Sequence, residues 1–259
     1  MKQAQLPIAF FDSGLGGISV LRQAVRQLPG EDYLYFGDCL HAPYGTKHAD
    51  EVLALTLAAV EPMIEAGIKA LVIACNTATA IAVTELRRSY PALPVFGTEP
   101  AIKPAAEAFP GGRILMLATP MTVREEKFRR LWEKYTDQAE IIPIGCEGLM
   151  EFVEQGIFEG EAVEGYLREK LAPYLQAPVD AVVLGCTHYP FLTSAIRRIV
   201  GDRPQIMDGS AGIAAHLRHV LEEKCLRNPQ AAGKVTFHFS GESPKYHALA
   251  EQLLRQVII

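Results

Sequence analysis

The chain has 259 residues, of which 49% are hydrophobic and 21% charged, and its formal net charge is −5, as expected of a compact globular protein with a sizeable core. The negative charge argues against nucleic acid or an anionic membrane as the main partner, and no apolar run reaches the roughly 18–20 residues that span a bilayer. There is no signal-peptide core at the N-terminus and no zinc-type spacing among the five cysteines, so we expect a cytoplasmic protein with free thiols and no metal site.

Strand-like apolar runs alternate with helix-like stretches along almost the whole chain. In a first series, strands are predicted at residues 8–11, 33–36, 69–74 and 95–96, and helices at residues 18–27, 51–66 and 77–88. In a second series, strands are predicted at residues 113–117, 141–144, 179–184, 205–207 and 235–239, and helices at residues 101–108, 121–134, 149–154, 161–175, 191–200, 211–224 and 246–256.

This repeated order of strand and helix is typical of parallel sheets with right-handed crossovers. The sequence therefore predicts an α/β fold with two similar three-layer α/β/α domains and mainly parallel sheets. We expect the first domain to comprise residues 1–97 and 210–259, and the second to comprise residues 98–209.

Two segments, one in each half of the chain, share one pattern. Residues 70–77 and 181–188 each contain a buried-strand run, a small residue, a cysteine (Cys75 or Cys186) and polar residues typical of a helix start. Ligands of open α/β sheets bind just beyond the carboxyl ends of strands, and a helix N-terminus stabilises a thiolate. A single cysteine of this kind is more often a small buried hydrophobe. The matched pair favours an enzyme that attacks one carbon from two opposite faces.

Two further motifs are candidates for ligand binding. The run Asp12-Ser13-Gly14-Leu15-Gly16-Gly17 follows the first strand, where glycines and a helix start can approach an anion. Its spacing is not that of a dinucleotide loop, and the alternative is a plain turn with Asp12 or Ser13 as helix cap. In Pro43-Tyr44-Gly45, Tyr44 can hydrogen-bond a ligand carboxylate and Gly45 offers its N–H, although a surface turn is the alternative. We interpret the other cysteines and histidines as structural: Cys39, Cys146, Cys225, His41, His48, His216, His219, His238 and His247.

Four motifs in order, FDSGLGG (residues 11–17), PYG (43–45), ACNTAT (74–79) and GCTHYP (185–190), resemble those of the glutamate racemases. The resemblance spans nearly the whole chain. It implies a cofactor-independent racemase that interconverts L- and D-glutamate and supplies D-glutamate for peptidoglycan. It also implies two α/β domains related by a pseudo-two-fold axis, with the active site in the cleft between them, and a homodimer.

The resemblance also assigns roles to individual residues. Cys75 and Cys186 match the two catalytic acid/bases, with Cys75 taking the proton from D-glutamate and Cys186 from L-glutamate. Asp12 is expected to assist the first thiol and His188 the second. The residues that match substrate-binding positions are Asp12, Ser13, Tyr44, Gly45, Asn76, Thr77, Thr187 and His188. Asp38 and Glu154 match accessory acidic residues.

Other functions remain open from the sequence. A related racemase of the same superfamily, acting on aspartate or a hydantoin, has a similar framework. A decarboxylase of that superfamily needs only one of the two cysteines. A non-catalytic amino-acid-binding module keeps the polar residues but has no need of two opposed thiols.

Overall fold

In the computed structural model, which describes residues 3–241 and 243–256, every strand pairs in parallel with its neighbours. The strands are β1 (Ile8–Asp12), β2 (Tyr33–Gly37), β3 (Ala70–Ile73), β4 (Val95–Gly97), β5 (Arg113–Ala118), β6 (Glu140–Gly145), β7 (Ala181–Leu184), β8 (Gln205–Asp208) and β9 (Val235–Phe239). They form a five-stranded sheet in the order β4-β3-β1-β2-β9 and a four-stranded sheet in the order β6-β5-β7-β8. The predicted α/β fold with parallel sheets is confirmed.

Helices and short 3-10 turns connect the strands. The α-helices are α1 (Ile18–Gln27), α2 (Ala49–Ala66), α3 (Asn76–Ser89), α4 (Ile102–Ala108), α5 (Pro120–Arg124), α6 (Glu126–Glu133), α7 (Leu149–Glu154), α8 (Glu161–Leu171), α9 (Thr193–Val200), α10 (Ser210–Glu223) and α11 (Pro244–Arg255). The 3-10 turns span Gln3–Gln5, Tyr44–Thr46, Ala172–Tyr174 and Tyr189–Leu192.

The chain divides into two compact units, each built on one sheet. Residues 3–98 and 210–256 form the first unit, and residues 99–209 form the second. In the first unit α1 packs with α10 and α11, while α2 packs with α3; in the second, α8 packs with α7 and α9, while α4 packs with α6. Residues 1, 2 and 257–259 of the first predicted domain lie outside the described residues. The pseudo-two-fold relation and a site between the domains stay predictions.

The central strands are buried on both faces, which explains why the sequence shows them as continuous apolar runs. Residues 8–11 of β1 and all four residues of β3 have no exposed surface. In the second unit the same holds for the first three residues of β7. Such strands offer no polar side chain until they end, so the first polar residues appear at the carboxyl edge of each sheet.

Two predicted helices are wrong in their extent. The helix predicted at residues 121–134 is two helices, α5 and α6, because the backbone of Glu125 is extended (φ −64°, ψ 128°). The β-branched Thr122 and Val123 lower the helix propensity just before this break. The helix predicted at residues 161–175 ends at Leu171, since Pro173 has no N–H to donate and its ring clashes with the preceding turn.

A buried ion pair lies beside the start of β3. The Lys69 ammonium group pairs with the Glu31 carboxylate, and both side chains are fully buried. Lys69 also donates to the Ala4 carbonyl at 2.5 Å, and Glu31 accepts from the Asn228 N–H at 2.9 Å and lies 3.6 Å from the Arg227 guanidinium. Because an uncompensated buried charge is costly, removing either partner destabilises the unit more than removing an exposed pair.

No helix among the described residues is both long and apolar enough to cross a membrane.

We predict that Lys69→Met lowers the free energy of unfolding by about 3–5 kcal/mol, because it removes the buried ammonium group that pairs with the Glu31 carboxylate. Urea denaturation followed by circular dichroism measures this loss. The control is Arg88→Met, which breaks the exposed Arg88–Glu85 pair and is expected to change stability little. Combining Lys69→Met with Glu31→Leu should recover part of the loss. Equal effects of Lys69→Met and Arg88→Met would contradict the prediction.

Candidate functional site

Three of the predicted site residues lie at or just beyond the carboxyl ends of neighbouring strands of the first unit. Asp12 is the last residue of β1, Asp38 follows β2, and Cys75 comes two residues after β3. The Asp38 N–H donates to the Asp12 carbonyl at 2.9 Å, and the Ala74 N–H donates to the Phe11 carbonyl at 2.7 Å. The parallel pairing therefore continues past the strand ends and sets these side chains along one edge of the sheet.

Cys75 caps the N-terminus of α3. Its Sγ accepts a hydrogen bond from the Ala78 N–H at 3.4 Å, and the residue is 6% exposed. The N-terminal end of a helix favours a negative charge, so this position suits a thiolate. Beside it, Asn76 Oδ1 is buried and has no hydrogen-bond partner within the described part of the chain. An amide in this state is available to a polar ligand.

The turn from Asp12 to Gly17 is shaped by close packing. Asp12 is fully buried, and its Oδ1 accepts from the Gly14 N–H at 3.0 Å. The N-cap of α1 is Gly17, with no side-chain cap, so the alternative that Asp12 or Ser13 caps this helix is wrong. A Cβ at Gly17 would lie 2.6 Å from the Asp12 Cβ and 3.0 Å from the Ala74 Cβ. Glycine is required here because the helix start lies directly against Asp12.

Tyr44 is bound to Asp38. Its hydroxyl donates to Asp38 Oδ2 at 2.6 Å, and the residue is 1% exposed. Burial and then this hydrogen bond raise the pKa of Tyr44 far above its ordinary value, with further contributions from the charges of Asp38, Cys75 and Asp12. The phenol hydrogen is used by Asp38, which corrects the expectation that it reaches a ligand carboxylate.

The backbone at Tyr44 retains hydrogen-bond donors. Tyr44–Thr46 is a 3-10 turn, and the N–H groups of Tyr44 and Gly45 have no acceptor among the residues that the structure describes. Free N–H groups at the start of such a turn suit an anion. This turn therefore presents donors through its backbone rather than through the Tyr44 side chain.

In the second unit three polar side chains are linked in series by hydrogen bonds. Cys186 Sγ lies 3.7 Å from His188 Nδ1, and His188 Nε2 lies 2.7 Å from Glu154 Oε1. His188 is 1% exposed, and Glu154 is the last residue of α7. The sequence placed Cys186 and His188 together, while Glu154 is brought to them across 34 positions of the chain.

The environment of His188 favours its protonated form. Burial is the largest single effect and lowers the pKa, but the hydrogen bonds and charges of Cys186 and Glu154 outweigh it and raise the pKa well above the ordinary value. An imidazolium between a thiol and a carboxylate can donate to both. It can therefore stabilise a thiolate at Cys186.

The helix predicted at residues 191–200 is present as α9, but the polar residues directly after Cys186 do not form its start. The chain forms a 3-10 turn at Tyr189–Leu192, where the Phe191 N–H donates to the His188 carbonyl at 3.1 Å, and α9 begins only at Thr193. The stabilisation by a helix N-terminus that we expected for both thiols thus applies to Cys75 alone. Cys186 depends on His188 instead.

Cys146 occupies a position similar to that of Cys186. It follows β6 directly after Gly145, as Cys186 follows Gly185, and is 2% exposed. Burial raises the pKa of Cys146 to about 12, and the charge of Cys186 adds to this rise. The repeated Gly-Cys pair was a signal in the sequence, but without an imidazole partner this thiol stays neutral.

The remaining predicted residues are also buried. These are Ser13, Thr77 and Thr187, at 4%, 2% and 6% exposed. The structure gathers Asp12, Asp38, Tyr44 and Cys75 in the first unit, and Glu154, Cys186 and His188 in the second. Sequence reasoning missed two partners of Asp38, His41 and Ser240. The described residues contain no cluster of three His, Cys, Asp or Glu side chains suited to a metal ion.

Comparison with known proteins identifies relatives over almost the whole chain. Residues 14–217 match the family model Asp/Glu/Hydantoin racemase. A glutamate racemase of Clostridium perfringens is 46% identical over 249 residues, which cover 96% of each chain. Glutamate racemase of Francisella tularensis in complex with D-glutamate has a TM-score of 0.85 at 28% identity, covering 98% of this chain and 95% of that one. Escherichia coli glutamate racemase, in complex with L-glutamate and the activator UDP-MurNAc-Ala, has a TM-score of 0.86 at 30% identity, with 96% and 95% covered.

We predict that Glu154→Gln lowers the pKa of His188, because the variant keeps an acceptor at Nε2 but loses the negative charge that favours the imidazolium. NMR titration of the imidazole nitrogens measures this shift. The control is Glu147→Gln, an exposed carboxylate in the same unit, which should leave the pKa unchanged.

The raised pKa of His188 also predicts how the effect of Glu154→Gln on the unfolding free energy changes with pH. In the folded protein the pKa of His188 lies above its unfolded-state value of about 6.5, so protonation of His188 stabilises the fold. This contribution is complete below the unfolded-state pKa and is lost as the pH rises through the folded-state pKa. The difference in unfolding free energy between wild type and Glu154→Gln should therefore be largest near pH 6 and shrink at higher pH. A difference that grows with pH would contradict the ion pair.

Proposed function

Because this chain belongs to the Asp/Glu/Hydantoin racemase family, we propose that it is a glutamate racemase, an isomerase that interconverts L- and D-glutamate. The observation that carries this proposal is the 46% identity to a glutamate racemase over 96% of both chains. Two structures of similar fold, at 28% and 30% identity, contain D-glutamate and L-glutamate. Both clusters of polar residues lie within the stretch that these relatives cover.

The two clusters supply groups that complement an amino acid. Glutamate carries two carboxylates and one ammonium group. We assign carboxylate binding to N–H and hydroxyl donors: the backbone of Tyr44 and Gly45, with Ser13, Thr77 and Thr187. The buried Asp12 carboxylate and Asn76 Oδ1 are acceptors and suit the ammonium group.

The proposed reaction removes one proton from one face of the α-carbon and adds another proton to the opposite face. The Cys75 thiolate takes the α-proton of D-glutamate while the Cys186 thiol gives its proton to the opposite face. L-Glutamate then leaves a protonated Cys75 and a Cys186 thiolate, which is the state that starts the reverse direction. No other reactant is consumed, and the two directions exchange the roles of the thiols.

The α-hydrogen is a far weaker acid than a thiol, so the two bases are not sufficient by themselves. General acid–base catalysis contributes about 10²–10⁴-fold, and electrostatic stabilisation of the carbanion must supply the rest. We propose that Asp12 assists Cys75, and that His188, held by Glu154, stabilises the Cys186 thiolate. The donors around each thiol then stabilise the developing negative charge on the substrate carboxylate.

Four further parts of the proposal concern the cellular setting. We propose that the reaction needs no cofactor, that its D-glutamate supplies peptidoglycan synthesis, that the protein acts in the cytoplasm, and that it forms a homodimer. These rest on the motifs shared with glutamate racemases. Size-exclusion chromatography with light scattering tests the dimer.

We predict that the purified protein, without added cofactor, racemises glutamate and not aspartate or hydantoins. In D₂O the product enantiomer should carry deuterium at the α-carbon, because its new proton comes from a thiol that exchanges with solvent. Circular dichroism and mass spectrometry measure both effects. Faster racemisation of aspartate would identify the related racemase, and binding without deuterium incorporation would identify a binding module.

We predict that Cys75→Ala and Cys186→Ala each lower kcat for glutamate by at least about 10³-fold, because each removes one of two required proton-transfer groups. The matched control is Cys146→Ala, which removes a buried thiol that also follows a strand but stays neutral. Its kcat should remain within a few fold of wild type. Substantial turnover in either of the first two variants would exclude the two-base mechanism.

A further inference from the structure

Three side chains contact the Asp38 carboxylate. Its carboxylate accepts from the Tyr44 hydroxyl at 2.6 Å and the Ser240 hydroxyl at 2.5 Å, and lies 2.8 Å from His41 Nδ1. The Asp38 side chain is 4% exposed, whereas that of His41 is 44% exposed. The carboxylate is thus held from three sides, and Tyr44 and Ser240 make its shortest contacts.

Ser240 joins two distant parts of the first unit. It follows β9, the edge strand next to β2, and its N–H donates to the Gly37 carbonyl at 3.1 Å. Its hydroxyl accepts from the Leu40 N–H at 2.9 Å while it donates to Asp38. One hydroxyl therefore secures both the Asp38 carboxylate and the backbone of the loop that leads to Tyr44.

These contacts determine where the Tyr44 turn lies. The Tyr44 ring is buried, with its centroid 6.2 Å from that of Phe11, and its hydroxyl ends on Asp38. With both ends of the side chain fixed, the backbone N–H groups of Tyr44 and Gly45 are fixed as well. Asp38 can hold Tyr44 in this way only while Asp38 itself is held.

We propose that Ser240 is a positioning residue for the substrate-binding turn, acting through Asp38 and Tyr44. Ser240 orients the Asp38 carboxylate, Asp38 orients Tyr44, and the turn then presents the Tyr44 and Gly45 N–H groups to a substrate carboxylate. The substrate part of this inference rests on the proposed glutamate racemase function. Ser240 lies outside residues 14–217, the stretch that matches the family model.

The test compares Ser240→Ala with two further variants. Ser240→Thr keeps the hydroxyl. Ser243→Ala alters the same loop but removes only the N-cap of α11, where Ser243 Oγ accepts from the Lys245 N–H at 3.3 Å. A purely structural role of this loop would make Ser240→Ala and Ser243→Ala behave alike.

We expect Ser240→Ala to raise the KM for glutamate roughly tenfold, with a smaller change in kcat, because the turn that binds a carboxylate loses its fixed position. Ser240→Thr should restore the KM. Ser243→Ala should lower the melting temperature and leave the KM unchanged. An unchanged KM in Ser240→Ala, or an equal rise in Ser243→Ala, would overturn the proposal.

Hydrogen exchange of the substrate-free protein gives a readout that does not depend on turnover. In Ser240→Ala, peptides that contain residues 44–47 should exchange faster than in wild type, and those of Ser240→Thr and Ser243→Ala should not. If wild type does not racemise glutamate, the proposed function fails, and the exchange rates alone decide whether Ser240 positions the turn. Unchanged exchange in Ser240→Ala overturns it.

Discussion

Backbone hydrogen bonds that continue the parallel pairing beyond the strand ends hold both clusters in place. In the first unit the carbonyls of Phe11 and Asp12 accept from the residues that follow β3 and β2. In the second unit the carbonyls of Leu117 and Ala118 accept from Gly185 and Cys146. All strands of a parallel sheet point their carboxyl ends to the same edge, so backbone pairing alone brings side chains that are far apart in sequence close together. The backbone thus sets where these residues leave each sheet, while side-chain contacts, Ser240 with Asp38 and His188 with Glu154, orient the groups beyond the sheet edge.

The two thiols receive support of different physical kinds. Cys75 depends on the N-terminal end of α3, whose backbone does not titrate. Cys186 depends on His188, whose protonation is coupled to Glu154 and to the thiol itself. In the proposed reaction one thiolate is therefore stabilised by a helix N-terminus that does not titrate, and the other by an imidazole whose charge varies with pH. The kcat values of the two directions should therefore respond differently to acid, while their kcat/KM values stay equal because the two enantiomers are equally stable.

The sequence predicted those features that depend on neighbours along the chain. Strands buried on both faces produced continuous apolar runs, so their positions were found to within a few residues, and the cysteines at their ends followed. Contacts between distant positions gave no local signal: Lys69 with Glu31, and Ser240 with Asp38, join residues 38 and 202 positions apart. The break at Glu125 was missed because Thr122 and Val123 lower the helix propensity only slightly and no proline or glycine marks the break. The Tyr44 hydroxyl was assigned to a ligand because its burial against Asp38 depends on the fold.

The first unit is assembled from two separate stretches of chain, and this has a consequence for synthesis on the ribosome. The strands β1 to β4 emerge first, then the whole second unit, and only afterwards β9, which pairs with β2. The second unit is continuous and can fold as it emerges, while the nascent first sheet exposes the edge of β2 until β9 arrives. Ser240 follows β9, so the Tyr44 turn gains its support among the last events. A chain released early would carry both thiols and yet lack a finished binding turn.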